Sequence, residues 1–248
     1  GGTPTPESLE AARGVVCYGS VGMVTEFAAY HGRFPTTWEA GLCRDVYGQP
    51  IQVPWLTDHR HQGVPYWWCC TRQPQFRQFL EERVTVTVRA GARGVHVDDH
   101  LGTSGALFLG ACFCDRCVEG FRSRDPDYRA SVLAWLKAAP PGETRRVQDH
   151  VLWAEWSAYH LRAAAAYVAQ LRALAAREAG REVPVSANAG LLWPNHLATY
   201  RALDFFSAEI EHGAASLGPT DRPLFAYRMA DAMGRPLAAT ASGQDWAF

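Results

Sequence analysis

The residues best suited to chemistry fall between Gly94 and Phe121, in the run G-V-H-V-D-D-H-L-G and then C-F-C-D-R-C-V-E-G-F. The first half reads as a buried strand that ends in two carboxylates, Asp98 and Asp99, with His100 behind them. Cleavage of a glycosidic bond needs two carboxyl groups, one to protonate the leaving oxygen and one to act as nucleophile or base. Burial and mutual charge keep such a pair in different protonation states. A second acidic pair, Glu209 and Glu211, closes a later strand pattern and is followed by His212. Acids on two different strand ends can face one another across a cleft. Alternation along the first strand puts Asp99 with Val97 and Asp98 with His96, so only one of the two need enter it.

The second half carries Cys112, Cys114 and Cys117 within six positions, out of seven cysteines in the chain. Seven is odd, so complete disulfide pairing is excluded, and Cys112 and Cys114 are too close to bridge each other easily. Soft thiolates at this spacing suit a tetrahedral zinc ion, for which Cys70 is the best fourth ligand and Cys69 the next. Such a site would be structural, because four thiolates leave no position open for substrate. The competing reading is a set of free buried thiols, or one disulfide and a spare. Unpaired cysteines favour a reducing, cytoplasmic compartment.

Composition removes other classes. Lys plus Arg (24) nearly balances Asp plus Glu (25), which gives no electrostatic case for a nucleic-acid or anionic-membrane partner. No apolar run approaches the length that spans a bilayer. Walker A, G-x-G-x-x-G and G-x-S-x-G patterns are all missing, which lowers kinase, dehydrogenase and esterase readings. Aromatic residues reach 12%, with nine Trp, and several stand in loop-like contexts. Aromatic faces in a cleft suit sugar rings. Tyr18, Trp67 and Trp68 are therefore expected to bind substrate with Asp98, His100, Asn188, Glu211 and Asp245. Oligomerisation is left open.

These side chains need a frame. Apolar runs at Val15, Pro65, Gly94, Val183, Leu203 and Pro236 read as strands, and helical patterns alternate with them. Segment 84–88 fits a strand as well as a helix, and 35–65 reads as a long loop. Strand–helix alternation with polar residues just after each strand is the pattern of a (β/α)8 TIM-type barrel, whose site lies at the C-terminal strand ends. Six candidates fall short of eight strands. The expectation is one incomplete barrel domain over residues 1–248, a fragment of a longer protein. The start, Gly-Gly-Thr-Pro-Thr-Pro, has neither an initiator Met nor the apolar core of a signal peptide.

The run H-V-D-D-H-L-G with G-A-C-F-C-D-R-C-V-E-G-F resembles the barrel segment of the zinc-containing trimeric β-galactosidases. It is also similar to a broad group of uncharacterised glycoside hydrolases. Those share the run from Trp67–Cys70 to Phe121, an S-x-N-A strand, a strand ending in G-E or A-E, and a final T-A-S-G-x-D-W. The resemblance implies that Gly94–Asp99 is the fourth barrel strand, that Asp99 stands at the general acid/base position, and that Cys70 completes a structural zinc site. It covers most of Cys17 to Trp246. Two departures stand out. Asp99 replaces a Glu, and the nucleophile position at the seventh strand offers only Gln244 and Asp245, which leaves Glu209 as nucleophile or base. The implied function is glycoside hydrolysis on a carbohydrate by two carboxylates. The alternatives are an inactive barrel that binds polysaccharide or serves as a scaffold, and a lyase.

Overall fold

The computed structural model describes residues 6–11, 17–24, 26–189, 193–210 and 222–241. In chain order the elements are α1 (Pro6–Ala11), β1 (Tyr18–Gly22), α2 (Phe27–Arg33), β2 (Arg60–His61), β3 (Val64–Pro65), α3 (Pro74–Arg89), β4 (Gly94–Asp98), α4 (Asp115–Phe121), α5 (Tyr128–Lys137), α6 (Trp153–Ala179), β5 (Val185–Asn188), β6 (Phe205–Ile210), α7 (Arg222–Ala232) and β7 (Leu237–Ala241), joined in places by 3-10 turns. The chain gathers into two compact units. One is Gly1–Val21, Arg83–His100 and Val168–Phe248; the other is Gly22–Glu82 and Leu101–Tyr167.

The first unit is a five-stranded parallel sheet in the order β1-β4-β5-β6-β7. The architecture is thus α/β. Each strand lies beside its predecessor in the sheet, without the reversal of order that marks a doubly wound fold. Register aligns Val97, Ala187, Phe206 and Leu237 across four strands. With Val95 and Val185 they make one apolar face, of which Val95, Val97, Val185, Ala187 and Phe206 are buried. The opposite parity carries His96, Asp98, Ser186, Asn188 and Ser207. Period-two alternation in V-H-V-D and V-S-A-N thus builds one oily and one largely polar face. At the strand starts, Asp204 accepts from the Arg172 guanidinium at 2.7 Å and from the Val185 N–H at 2.8 Å. That pair ties α6 to the entry of β5.

Two sequence expectations change here. Segment 84–88 is helical, as the end of α3. Phe76, Phe79, Leu80, Val84 and Val88 are buried on one helix face while Val86 is 52% exposed, so the 3.6 period wins over the apparent alternation. Pro65–Cys70 is not a strand of the parallel sheet. It belongs to the second unit, where β3 pairs with β2 and single antiparallel bridges join Leu42 to Cys69 and Gln52 to Trp67. Its partner lies in the stretch read as a loop, whose N–H groups at Cys43 and Val53 donate to the carbonyls of Trp68 and Tyr66 at 2.8 and 3.0 Å. Of the expected first strand, Val15 and Val16 lie outside the described residues, and β1 begins at Tyr18.

The second unit closes on an aromatic core. Phe113 stacks on Trp156 at 5.1 Å between ring centroids and on Tyr128 at 5.7 Å, and Phe121 meets Trp156 edge-on at 5.0 Å. The cysteine loop packs directly against these rings. Among the described residues, no helix is long and apolar enough to cross a membrane.

Candidate metal centre and carboxylate site

Cys70, Cys112, Cys114 and Cys117 are all buried, and their sulfur atoms lie within 4.8 Å of one another. None is in a disulfide. Cys70 Sγ stands 3.7 Å from both Cys117 Sγ and Cys114 Sγ. A tetrahedral ion with metal–sulfur bonds of about 2.3 Å requires sulfur–sulfur edges of about 3.8 Å. The thiols are therefore already spaced for a metal ion. Cys70 precedes α3, Cys114 is the residue before α4, and Cys117 lies in the first turn of α4, so two helix starts and one loop set the four vertices. Cys69 is directed away, with its thiol 3.8 Å from the Trp67 carbonyl oxygen.

The buried thiols shift one another's ionisation strongly. Burial opposes ionisation of Cys112, yet hydrogen bonding from Cys114, Cys117 and Cys43 brings its thiol down to about 6. Cys70 is likewise held well below the ordinary thiol range, against its burial, by four neighbouring thiols. Cys117 is pushed up, mainly by burial, and Cys114 is pushed up by the Cys112 beside it. A thiolate in this apolar interior is costly unless positive charge meets it. Backbone N–H groups of Arg44 and Cys114 point at Cys112 Sγ, and that of Arg72 at Cys70 Sγ, each at 3.4 Å. Such N–H···S contacts commonly orient metal-bound sulfur. The Arg72 guanidinium lies over the Tyr159 ring, 4.9 Å from its centroid.

Sequence reasoning missed Cys43 and His160, both buried beside this group. Neither has a spacing motif, since each reaches the cluster from a distant segment. Gly41 also matters. Its carbonyl accepts from the Cys70 N–H at 2.7 Å, and a Cβ at this position would fall 2.2 Å from the buried Tyr30 hydroxyl. Gly41→Ala should therefore cost about 1–3 kcal/mol by overpacking and weaken metal retention. Thermal melts with metal analysis would show this, and wild-type values for both would refute it.

The carboxylate site is in the first unit. Asp98 ends β4 on the polar face, and its Oδ1 accepts the Asp99 N–H at 3.0 Å. Asp99 has φ 50°, a left-handed conformation that a non-glycine residue holds at a cost. The left-handed turn breaks strand alternation at Asp99, so parity no longer excludes it from the side that Asp98 occupies. Its Oδ2 is buried. His96 Nδ1 and Ser186 Oγ are 2.9 Å apart, joining β4 to β5 on the polar face. Asn188 and Ser207 follow in register at the strand ends. Glu209 is placed by its backbone, in register with Thr240. Glu211 and Asp245 lie outside the described residues, as do His212 and Gln244.

His100 is 1% exposed, its ring edge-on to His196 at 5.0 Å, and neither ring nitrogen has a hydrogen bond of good geometry. Burial foremost, then the neighbouring His196, pushes its pKa down to about 3. The unfolded chain protonates this group near pH 6.5 and the folded chain does not, so stability falls as pH drops through that window. Between pH 6.5 and pH 5 the loss from His100 is about 2 kcal/mol, at about 1.4 kcal/mol per unit. A urea midpoint that stays constant from pH 7 to pH 5 would contradict this.

Three aromatic expectations resolve differently. Trp68 is 2% exposed, with its indole N–H donating to the Gly102 carbonyl oxygen at 3.2 Å. A closed indole has no face for a sugar, so Trp68 is a core residue. Tyr18 lies over Gly94, at the start of β4, and packs edge-on against Phe205 at the start of β6. That is the opposite end of the strands from Asp98. Trp67 is half-buried in the second unit, where Trp55 (51% exposed) and Phe108 (61% exposed) flank Trp68 at 5.5 and 6.0 Å. The chain matches no protein-family model, and no curated protein is significantly similar to it.

Proposed function

We propose that this chain is a glycoside hydrolase-type (β/α) barrel with a structural zinc ion at Cys70, Cys112, Cys114 and Cys117. The observation that carries the reading is the polar face of the parallel sheet, which culminates at the C-terminal end of β4 in Asp98 and a left-handed Asp99. Non-glycine residues in this conformation cluster at functional sites. Sheet order supports the barrel, because strands added always on the same side are what closure needs and what a doubly wound sheet lacks.

In this reading Asp99 protonates the leaving oxygen, and Asp98 fixes it through the Asp99 N–H. Glu209 is nucleophile or base from β6, two strands away. Strand spacing of about 4.8 Å puts β4 and β6 about 9.6 Å apart, and side chains converging from two strands can bring carboxyls within the roughly 5–9.5 Å of glycosidases. The ligand is a carbohydrate, with Asn188 and His96 on the polar face as partners for its hydroxyls. Four thiolates saturate zinc, so the metal takes no part in the chemistry.

A panel of aryl glycosides incubated with the purified protein tests this. Release of the phenol by wild type, lost in Asp99→Asn where the phenol is a poor leaving group, is the expected result. No turnover on any glycoside, with polysaccharide binding retained, would replace hydrolysis with a binding scaffold.

A further inference from the structure

A fifth thiol stands at the metal centre. Cys43 is fully buried, and its sulfur neighbours are Cys112 and Cys70. Its segment is stitched to both ligand-bearing stretches. The Cys43 N–H donates to the Trp68 carbonyl at 2.8 Å and the Cys70 N–H to that of Gly41 at 2.7 Å. On the other side, the Phe113 N–H donates to the Arg44 carbonyl at 2.8 Å, and the Arg44 N–H points at Cys112 Sγ. Cys43 is thus anchored by its backbone beside the Cys70–Cys112 edge of the sulfur group, so that its thiol can be brought nearer a ligand vertex only by rotation of its side chain. Rotation about χ1 between staggered wells moves a Sγ by about 3 Å, the scale of one tetrahedral edge. Tetrahedral zinc takes four sulfurs, so one of the five must stand by.

We propose that Cys43 is a reserve ligand, which takes the vertex of Cys112 when that sulfur is lost and keeps the site tetrathiolate. This rests on the metal reading of the four-cysteine cluster. Cys114 and Cys117 have no such substitute, because Cys43 lies beside the other edge. The site would then tolerate loss of Cys112 while remaining intolerant of loss at α4.

Cobalt(II) titration, read by its d–d absorption, tests this with Zn²⁺ competition for affinity. Wild type and Cys43→Ser should bind one ion with an all-sulfur spectrum. Cys112→Ser should keep that spectrum and bind within about tenfold of wild type, whereas Cys114→Ser and the double variant C43S/C112S should bind at least about a hundredfold more weakly. A Cys112→Ser protein that binds as weakly as Cys114→Ser, shows an oxygen-containing ligand field, or fails to fold overturns the reserve role and leaves the four-cysteine site standing. A wild-type protein that takes up no metal overturns both.

Discussion

With a metal ion held at the four-cysteine cluster, Cys117→Ser should abolish its binding and lower the melting temperature by about 8–16 °C, the shift expected in a chain of this size from a loss near 4 kcal/mol. A serine hydroxyl does not ionise at neutral pH, so it cannot replace a thiolate ligand. Binding of structural zinc is folding free energy, because the ligands come together only in the folded chain. In this molecule the ligands join the stretch before α3, the loop before α4 and α4 itself. The same sulfurs sit in the core beside Phe113, Phe121 and Trp156, so a failed metal site opens the aromatic cluster as well. Cys117 is the sharper choice than Cys112, since no further thiol lies beside it. Metal analysis and circular-dichroism melts provide the measurement, and a chelator applied to wild type should reproduce the variant. An unchanged melting temperature together with wild-type metal content would refute the assignment.

Local spacing made the thiolate set legible, and distance along the chain hid the rest of it. Cys112, Cys114 and Cys117 announce themselves because a tight turn can present all three, and the adjacent Cys70 and Cys69 were the best and next candidates for the fourth ligand, the resemblance favouring Cys70. Cys43 could not be read. It belongs to a stretch without period, whose backbone is satisfied by irregular pairing with residues 66–70 rather than by a regular ladder. Such pairing leaves no alternation in the sequence, so that stretch read as a loop and its partner as a sheet strand. The parallel strands were easier, since V-H-V-D and V-S-A-N alternate with the pleat. The conformation of Asp99 is another matter. Asp tolerates a left-handed backbone more readily than most residues, but nothing in its neighbours demands one. That turn decides whether one or two aspartates serve the polar face, and it is visible only in three dimensions.

Asp99→Asn and Glu209→Gln should each reduce glycoside turnover by about 10²–10⁴ while leaving the fold intact, which corresponds to about 3–5 kcal/mol of barrier. Both substitutions keep size and shape and remove only the acid. The two roles predict different residual activities. Without its general acid the enzyme must expel an unprotonated leaving group, so Asp99→Asn should retain most activity on aryl glycosides with acidic phenols and least on those with poor leaving groups. Loss of the nucleophile or base removes the attack itself, so Glu209→Gln should be slow on every substrate. Asp98→Asn should fall between wild type and Asp99→Asn, because a carboxamide oxygen can still accept the Asp99 N–H that Asp98 Oδ1 holds at 3.0 Å. The pH profile separates a positioning effect from a chemical one. Replacing the acid removes the alkaline limb of kcat/KM, whereas a mere loss of orientation lowers the whole bell without changing its limbs. Equal activity of wild type, Asp99→Asn and Glu209→Gln on a poor leaving group would place the chemistry elsewhere. A uniform fall with an unchanged pH profile in Asp99→Asn would make Asp99 a positioning residue and shift the acid to Asp98, its neighbour on the polar face of β4.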